Sequence, residues 1–202
     1  MSIRLLGTSA SRPTVERNVA SLAIHREGET LMFDCGEGTQ RQMMRYGISF
    51  ALSDIFFTHM HADHMLGLTG LLRTLALQGR TEPMNLYGPV GCEKLLWRAV
   101  MLGSEKQPFE IKIVELPPEA PLKRNGYSVI PFQVEHGDRG AVGYHIAEET
   151  RLGRFNPDKA REMGIPDGPL WGKIHKGEAG HLPSALTVQP SELLVPTSPA
   201  TD

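Results

Sequence analysis

The chain has 202 residues, enough for one domain with a sizeable core, and its 40% hydrophobic and 22% charged residues are ordinary for a globular protein. No apolar run reaches the ~18 residues that a membrane span needs, and the N-terminus lacks a secretory signal, so we expect a cytoplasmic protein without a membrane partner. Two cysteines do not make a disulfide framework, and the net charge of −2 is unlike the basic footprint of most nucleic-acid-binding proteins.

The first two thirds of the chain alternate between strand and helix patterns. Short apolar or β-branched runs predict strands at residues 3–6, 19–24, 30–33 and 55–58. Helical spacing predicts helices at 40–46, ended by Gly47, and at 66–77, ended by Gly79. The pattern then predicts a strand at 85–87, a helix from Pro89 to Leu102, and strands at 110–116, 127–134 and 142–147. This alternation indicates a layered α/β (α+β) domain.

The composition changes after residue 148. Residues 149–182 are polar and rich in Gly and Pro, and only 157–163 are compatible with a helix, so we expect an extended insertion. Residues 183–202 carry several prolines and many Ser and Thr, which indicates a loose tail. The expected organisation is therefore a domain over 1–148, an insertion over 149–182 and a tail over 183–202.

A histidine-rich segment follows directly on the strand predicted at 55–58. It reads Thr-His-Met-His-Ala-Asp-His over residues 58–64, and thus places His59, His61, Asp63 and His64 within six positions. Imidazole nitrogens and a carboxylate are the donors that suit Zn²⁺. The alternatives, a histidine-rich surface turn or histidines that are satisfied within the core, are disfavoured because four such donors rarely meet at a strand–helix junction by chance. We therefore predict a metal site, with room for two ions at one loop.

Further donors must come from elsewhere, because this loop alone does not complete two metal sites. His136 follows another predicted strand and is a candidate ligand, although an isolated His-Gly is often a turn. Asp34 ends an apolar strand, where a buried carboxylate needs a partner. It either orients a ligand histidine through the other ring nitrogen or serves in an Asx-turn or helix N-cap. Cys35 is expected to be a small core residue.

The motif H-x-H-x-D-H after a strand is typical of the metallo-β-lactamase superfamily, and this chain resembles that superfamily over residues 2–147. Three other segments are similar to ribonuclease Z: Phe-Asp-Cys-Gly-Glu-Gly-Thr-Gln over 33–40, Gly-Ala-Val-Gly-Tyr over 140–144, and the Gly-Pro segment over 164–174. The last resembles the flexible arm with which that family clamps tRNA. The resemblance therefore identifies the chain as a member of the ribonuclease Z family.

The resemblance implies a four-layer αββα sandwich whose second half is incomplete here. It implies one zinc ion on His59, His61 and His136, a second on Asp63 and His64, and a proton-acceptor role for Asp63. A metal-activated hydroxide would then remove the 3′ trailer of precursor tRNA, in a homodimer. Substrate contacts would come from Arg17, Gly168 and Pro169.

Any positive charge for RNA must be local in a chain of net charge −2. Residues 151–176 hold six basic against three acidic side chains, which are Arg151, Arg154, Lys159, Arg161, Lys173 and Lys176 against Asp158, Glu162 and Asp167. This excess, in the segment that resembles the arm, favours an RNA-binding role over a chance imbalance in a solvated insertion.

Two departures from the family pattern leave alternatives open. Val15 replaces a lysine of the loop Pro-x-Lys-x-Arg-Asn, which puts contacts to the RNA 3′ end in doubt. The late Gly-Asp-Thr and the late histidine of the family do not occur, so we expect a member that lacks the C-terminal third. The alternatives are another hydrolase of the same fold, such as a glyoxalase-like thioesterase, or a catalytically inactive fragment. The arm-like segment argues against a small substrate.

Overall fold

The computed structural model describes residues 1–103, 106–137, 140–149, 153–177, 179–181 and 187–195. The chain divides into two compact units. The first comprises Met1–Arg124 with Ser128–Ala147, and the second comprises Asn125–Tyr127 with Glu148–Asp202. Within the described residues, no helix is long and apolar enough to cross a membrane.

The centre of the first unit is a six-stranded sheet in the order of the chain. Its strands are β1 (Ser2–Gly7), β2 (Ser21–Arg26), β3 (Glu29–Phe33), β4 (Asp54–Phe56), β5 (Met84–Gly88) and β6 (Ile111–Glu115). The first three pair antiparallel, and β3 to β6 pair parallel. The parallel strands β3, β4 and β5 are almost continuously buried, as expected for strands covered on both faces.

Four helices accompany this sheet: α1 (Thr39–Tyr46), α2 (Ala62–Met65), α3 (Gly67–Leu77) and α4 (Glu93–Met101). The apolar stripe of α3 is buried in one core with the strands, as its spacing predicts. The helix expected at 66–77 is preceded by the separate turn α2. Asp63 and His64 therefore lie on a helical turn and not in a loop.

The helix expected to begin at Pro89 was placed too early, because α4 begins at Glu93. The carboxylate of Glu115, at the end of β6, accepts hydrogen bonds from the amides of Gly91 and Glu93 at 2.9 and 3.0 Å. A residue distant in sequence thus satisfies amides at the start of this helix, which local sequence patterns do not reveal.

A second sheet of three strands, β7 (Leu122–Arg124), β8 (Tyr127–Val134) and β9 (Ala141–Glu148), packs on the first. The hydroxyl of Tyr144 on β9 donates to the carbonyl of Phe57 at 2.7 Å, and its ring contacts Phe33 and Phe56. The strand β7 was not predicted, since three residues are too few for a detectable alternation. Helices, sheet and second sheet form the layered α/β arrangement that the sequence predicts.

The second unit has a small core of its own. It contains α5 (Pro157–Glu162), α6 (Pro169–His175) and α7 (Pro190–Leu193), with the strand pairs β10 (Arg154–Phe155) with β13 (Leu194–Val195) and β11 (Gly180–His181) with β12 (Thr187–Val188). Among the described residues, the fully buried side chains of this core are Ala160, Ile165, Ile174, Val188 and Leu193.

This core differs from the irregular insertion and loose tail that the sequence suggests. The helix α6 was not expected, and residues 187–195 are not loose, because Val188 and Leu193 bury their side chains in the unit. Between these two residues, Gln189 and Glu192 form a reciprocal capping box at the start of α7. Residues 183–186 and 196–202 of the expected tail lie outside the described residues.

Candidate metal centre

Three histidines converge just beyond the carboxyl ends of two strands. His59 and His61 follow β4, and His136 follows β8. The Nε2 atom of His59 lies 3.0 Å from Nδ1 of His61, and Nε2 of His136 lies 3.2 Å from the same Nδ1. One ring nitrogen from each side chain falls within 4.8 Å of the other two. Sequence spacing thus places His59 and His61 together, and the second sheet adds His136 from 75 residues away.

The spacing of these nitrogens fits a tetrahedral metal ion. Two nitrogens that each lie about 2.1 Å from a tetrahedral Zn²⁺ are about 3.4 Å apart, close to the spacing seen here. Burial, followed by the charge of His64, lowers the pKa of His59 to about 4. His59 is therefore neutral at physiological pH, which is the form that ligates a metal.

Asp63 and His64 form a second pair beside these histidines. The Nε2 atom of His64 lies 3.7 Å from Oδ2 of Asp63, and the His64 ring centroid lies 4.0 Å from that of His59. The amide of Ser11 donates to Oδ2 of Asp63 at 2.7 Å. Burial acts to raise the pKa of Asp63, but the Ser11 hydrogen bond and the neighbouring histidines lower it below its ordinary value. Ser11 was not predicted, because any residue carries a backbone amide.

Asp34 links the three histidines and the Asp63–His64 pair through hydrogen bonds to Thr58 and His64. Its Oδ2 accepts a hydrogen bond from Nδ1 of His64 at 2.7 Å, and its Oδ1 accepts one from the amide of Thr58 at 2.8 Å. Burial acts to lower the pKa of His64, but the hydrogen bond and charge of Asp34 outweigh it and raise that pKa. Of the two roles expected for Asp34, this geometry fits the orientation of a histidine. The N-cap of α1 is Gly38 and not Asp34, and no N-cap side chain accepts from the amides of this helix.

The backbone around Asp34 packs tightly against the helical turn of Asp63 and His64. The amide of Cys35 donates to the carbonyl of His64 at 2.7 Å, and the amide of Gly67 donates to the carbonyl of Cys35 at 2.9 Å. A Cβ atom at Gly36 would lie 2.3 Å from the carbonyl oxygen of Asp63, so this approach requires glycine. Cys35 is buried, and burial raises the pKa of its thiol to about 12, in agreement with a packing role.

The expected substrate-binding residues lie in different units. Arg17 is exposed in the loop between β1 and β2 of the first unit, where its amide donates to Oγ1 of Thr14 at 2.9 Å. Gly168 and Pro169 begin α6 of the second unit. Of the basic residues expected there, Arg161 pairs with Asp158 and Asp167 at 3.1 and 3.3 Å, while Lys159, Lys173 and Lys176 are exposed. Arg151 and the side chain of Arg154 lie outside the described part of the chain.

The amino-acid sequence of this chain is similar to one protein-family model and to several curated relatives. The protein-family model described as anti-Pycsar protein Apyc1 matches residues 1–144. Ribonuclease Z of Gemmatimonas aurantiaca is 56% identical over 193 residues, which cover 95% of this chain and 62% of that protein. Ribonuclease Z of Myxococcus xanthus is 47% identical, over 96% of this chain and 63% of that protein. The chain thus spans less than two thirds of the length of these curated relatives.

Solved structures with the same fold extend this comparison. The short form of human tRNase Z superposes with a TM-score of 0.67 at 30% identity, covering 78% of this chain and 70% of that one. The metallo-β-lactamase fold protein YhfI from Bacillus subtilis superposes with a TM-score of 0.59 at 15% identity, covering 79% and 66%. The expected metallo-β-lactamase fold is therefore confirmed.

Proposed function

Because this chain belongs both to the family described as anti-Pycsar protein Apyc1 and to the ribonuclease Z family, we propose that the protein is a zinc-dependent endoribonuclease acting on precursor tRNA. The named relatives that support this substrate are the ribonuclease Z proteins and human tRNase Z. The reaction is hydrolysis of the phosphodiester that joins a 3′ trailer to the mature tRNA. A homodimer and a cytoplasmic location remain predictions.

One observation carries the metal dependence: the convergence of His59, His61 and His136 with ring nitrogens within 4.8 Å of one another. In the proposal these three residues hold one zinc ion, and Asp63 and His64 contribute to a second position beside it. When bound there, Zn²⁺ would lower the pKa of a coordinated water and balance the charge that develops on the phosphoryl oxygens.

The protein contributes proton transfer and orientation. Burial acts to raise the pKa of Asp63, but the hydrogen bond from the Ser11 amide and the neighbouring histidines keep that pKa below its ordinary value, and the same amide holds the carboxylate in place. In the proposal it accepts a proton from the attacking water as the phosphodiester is cleaved. Asp34 holds His64 and thereby supports the second metal position.

Substrate binding is proposed to use two regions. Arg17 would contact the RNA near the metal centre, and the helix start at Gly168 and Pro169 would belong to a tRNA-binding unit with Lys159, Lys173 and Lys176 exposed on it. Lysine side chains bind phosphates without reading sequence, which suits an enzyme that must accept many tRNAs. A thioesterase or other small-substrate hydrolase would have no use for these positions.

The proposal is tested by metal content and cleavage of a precursor tRNA, measured on the 202-residue chain and on a longer form that matches the length of its relatives. We expect at least one tightly bound zinc per chain and no cleavage by Asp63→Asn, because the amide neither accepts a proton nor carries charge. Glu37→Gln is the control, since Glu37 is an exposed carboxylate of the neighbouring loop. Near-normal cleavage by Asp63→Asn with normal zinc content would exclude the assigned role, and faster hydrolysis of a thioester would favour the alternative enzyme class.

A further inference from the structure

Thr58 lies at the junction between Asp34 and His59. Its hydroxyl Oγ1 is 2.9 Å from Oδ2 of Asp34, 3.1 Å from Oδ1 of Asp34 and 2.9 Å from Nδ1 of His59. Its backbone is fixed as well, since its amide donates to Asp34 at 2.8 Å and its carbonyl accepts from Val142 at 2.9 Å. The hydroxyl is therefore held between a carboxylate and an imidazole nitrogen.

The direction of these hydrogen bonds follows from the number of protons. A carboxylate only accepts hydrogen bonds, so the single hydroxyl proton of Thr58 must point at Asp34. The oxygen of Thr58 then offers only lone pairs to Nδ1 of His59, and Nδ1 must carry the proton of the neutral ring. Nε2 is left without a proton, and Nε2 is the atom that faces His61 at 3.0 Å.

We propose that Thr58 is a positioning residue that fixes His59 in the tautomer with the proton on Nδ1, so that Nε2 is presented as a metal ligand. The inference rests on the proposed function in that it takes His59 to be a ligand. The hydrogen bonds from His59 Nδ1–H to Thr58 Oγ1 and from Thr58 Oγ1–H to Asp34 link the buried carboxylate to a ring with which it shares no direct hydrogen bond among the described contacts.

This arrangement gives Asp34 a double role. It orients the His64 ring directly, by accepting a hydrogen bond from Nδ1 of that ring. It orients the His59 ring indirectly, through the hydroxyl of Thr58. The buried carboxylate of Asp34 thus orients one histidine of each proposed metal position. His61 and His136 have no corresponding bond to Asp34 among the described contacts, so the effect of Thr58 should be specific to His59.

The first test reads the tautomer directly in the metal-free chain. Long-range ¹H–¹⁵N correlation spectra at neutral pH separate a ring protonated on Nδ1 from one protonated on Nε2. We expect His59 of the unmodified chain to be protonated on Nδ1, Thr58→Ser to keep that state, and Thr58→Val to lose it. Valine keeps the branched shape and removes the hydroxyl, whereas serine keeps the hydroxyl. Protonation of His59 on Nε2 in the unmodified chain would overturn the proposal, even if Thr58→Val does not fold.

The second test measures zinc affinity by competition with a chelator of known affinity. We expect Thr58→Val to bind zinc about 10–100-fold more weakly than the unmodified chain, the range found when groups that orient a ligand are removed. Thr58→Ser should bind close to normally. Equal affinity and an unchanged tautomer in Thr58→Val would refute the role of Thr58 and leave the proposed function intact. Absence of zinc binding by the unmodified chain would instead refute the proposed function, while the tautomer measurement would still decide the inference.

Discussion

At the scale of single residues, the two cysteines show how burial controls chemistry. Cys35 and Cys92 are both buried, and burial raises the pKa of each thiol to about 12. For Cys92 the charge of Glu115 adds to the effect of burial. Thiolates are the reactive form of cysteine, so neither residue is suited to nucleophilic or redox chemistry in the folded chain.

The same shift predicts a loss of stability at alkaline pH. The unfolded chain releases the thiol protons above their ordinary pKa of about 8.5, while the folded chain retains them to about 12. The folded state then binds more protons, so the free energy of unfolding falls as pH rises through this window, by up to about 1.4 kcal/mol per pH unit for each thiol. Urea unfolding at pH 8, 9 and 10 measures this loss.

Cys92→Ala is the control for the alkaline effect. It should show a smaller loss of stability between pH 8 and 10, whatever its stability at pH 8, because one of the two shifted thiols is gone. If the unmodified chain and Cys92→Ala showed the same dependence of stability on pH, the pKa of the Cys92 thiol would not be raised in the folded state.

Which residues of the centre are predictable from sequence depends on how they act. His59, His61, Asp63 and His64 stand in a pattern that predicts metal ligands, whereas His136 was a candidate because it follows another predicted strand. The structure brings these five side chains close together. Ser11 acts through its amide and Thr58 through a hydroxyl that is meaningful only beside Asp34. Neither contribution has a residue-type pattern, so three-dimensional positions are needed to find it.

At the scale of elements, the turn of Asp63 and His64 depends on a close contact between two backbone segments. A Cβ atom at Gly67, the first residue of α3, would lie 1.9 Å from the carbonyl oxygen of Gly36. Because that oxygen belongs to the backbone, it cannot move without shifting the segment that carries Asp34. The contact therefore joins the start of the helix to the carboxylate that orients the centre.

We predict that Gly67→Ala lowers the free energy of unfolding by about 1–3 kcal/mol, as overpacking does in other cores, and weakens zinc binding. Gly70→Ala on the same helix is the control. Its Cβ would meet the end of the Gln40 side chain at 3.1 Å, which can adjust, and alanine favours a helix over glycine by about 0.5–1 kcal/mol. Urea unfolding and zinc competition compare the two; equal effects would contradict a specific contact at Gly67.

Elements with long periodic patterns were predictable, and short ones were not. The stripe of α3 spans three turns and is buried as expected, whereas β7 has three residues and α6 begins at a Gly-Pro that is typical of a loop. The start of α4 is set by Glu115 from another element. Local patterns carry no information about such partners, which is why Pro89 was a misleading start.

At the scale of the whole molecule, the core of the second unit has five fully buried side chains among the residues that the structure describes, whereas the core of the first unit involves six strands and four helices. Ile174→Ala would remove part of this small core, at a cost of about 2–5 kcal/mol. We expect hydrogen exchange to lose protection in the described segments 153–177, 179–181 and 187–195 of the second unit, while zinc binding by the first unit is unchanged.

Leu72→Ala is the counterpart in the first unit, where Leu72 is fully buried. It should weaken zinc binding and leave hydrogen-exchange protection in place in the same described segments of the second unit. Loss of zinc binding in Ile174→Ala would show that the metal centre depends on the core of the second unit.

The proposed RNA-binding surface also belongs to this scale, because a chain of net charge −2 must bind phosphates through a local surface. Deleting residues 151–176 would remove Ala160, Ile165 and Ile174 from the core, so substitution is the sharper test. Replacing Lys159, Lys173 and Lys176 by Gln should weaken tRNA binding. It should also reduce the salt dependence by about 0.7–0.9 in log–log slope for each phosphate that the variant no longer neutralises.

The matched control replaces Lys94, Lys112 and Lys123 of the first unit by Gln, which changes the net charge equally. Binding and salt slope should stay near those of the unmodified chain. If both triple variants bind tRNA equally weakly, the RNA-binding surface is not local to the second unit, and Arg17 becomes the next candidate.

The backbone at Asp34 sets a limit on how far this protein can be stabilised. Asp34 has a φ of +56°, a left-handed conformation that costs free energy for every residue except glycine. A scan for stabilising substitutions that considered backbone conformation alone would therefore select glycine at position 34, and would remove the carboxylate that accepts hydrogen bonds from Thr58 and His64. Each part-buried donor left without a partner would cost about 1–3 kcal/mol, and together these losses outweigh the strain that glycine relieves. Engineering for thermal resistance should therefore leave position 34 unchanged, because its strained conformation is offset by the hydrogen bonds that the side chain makes.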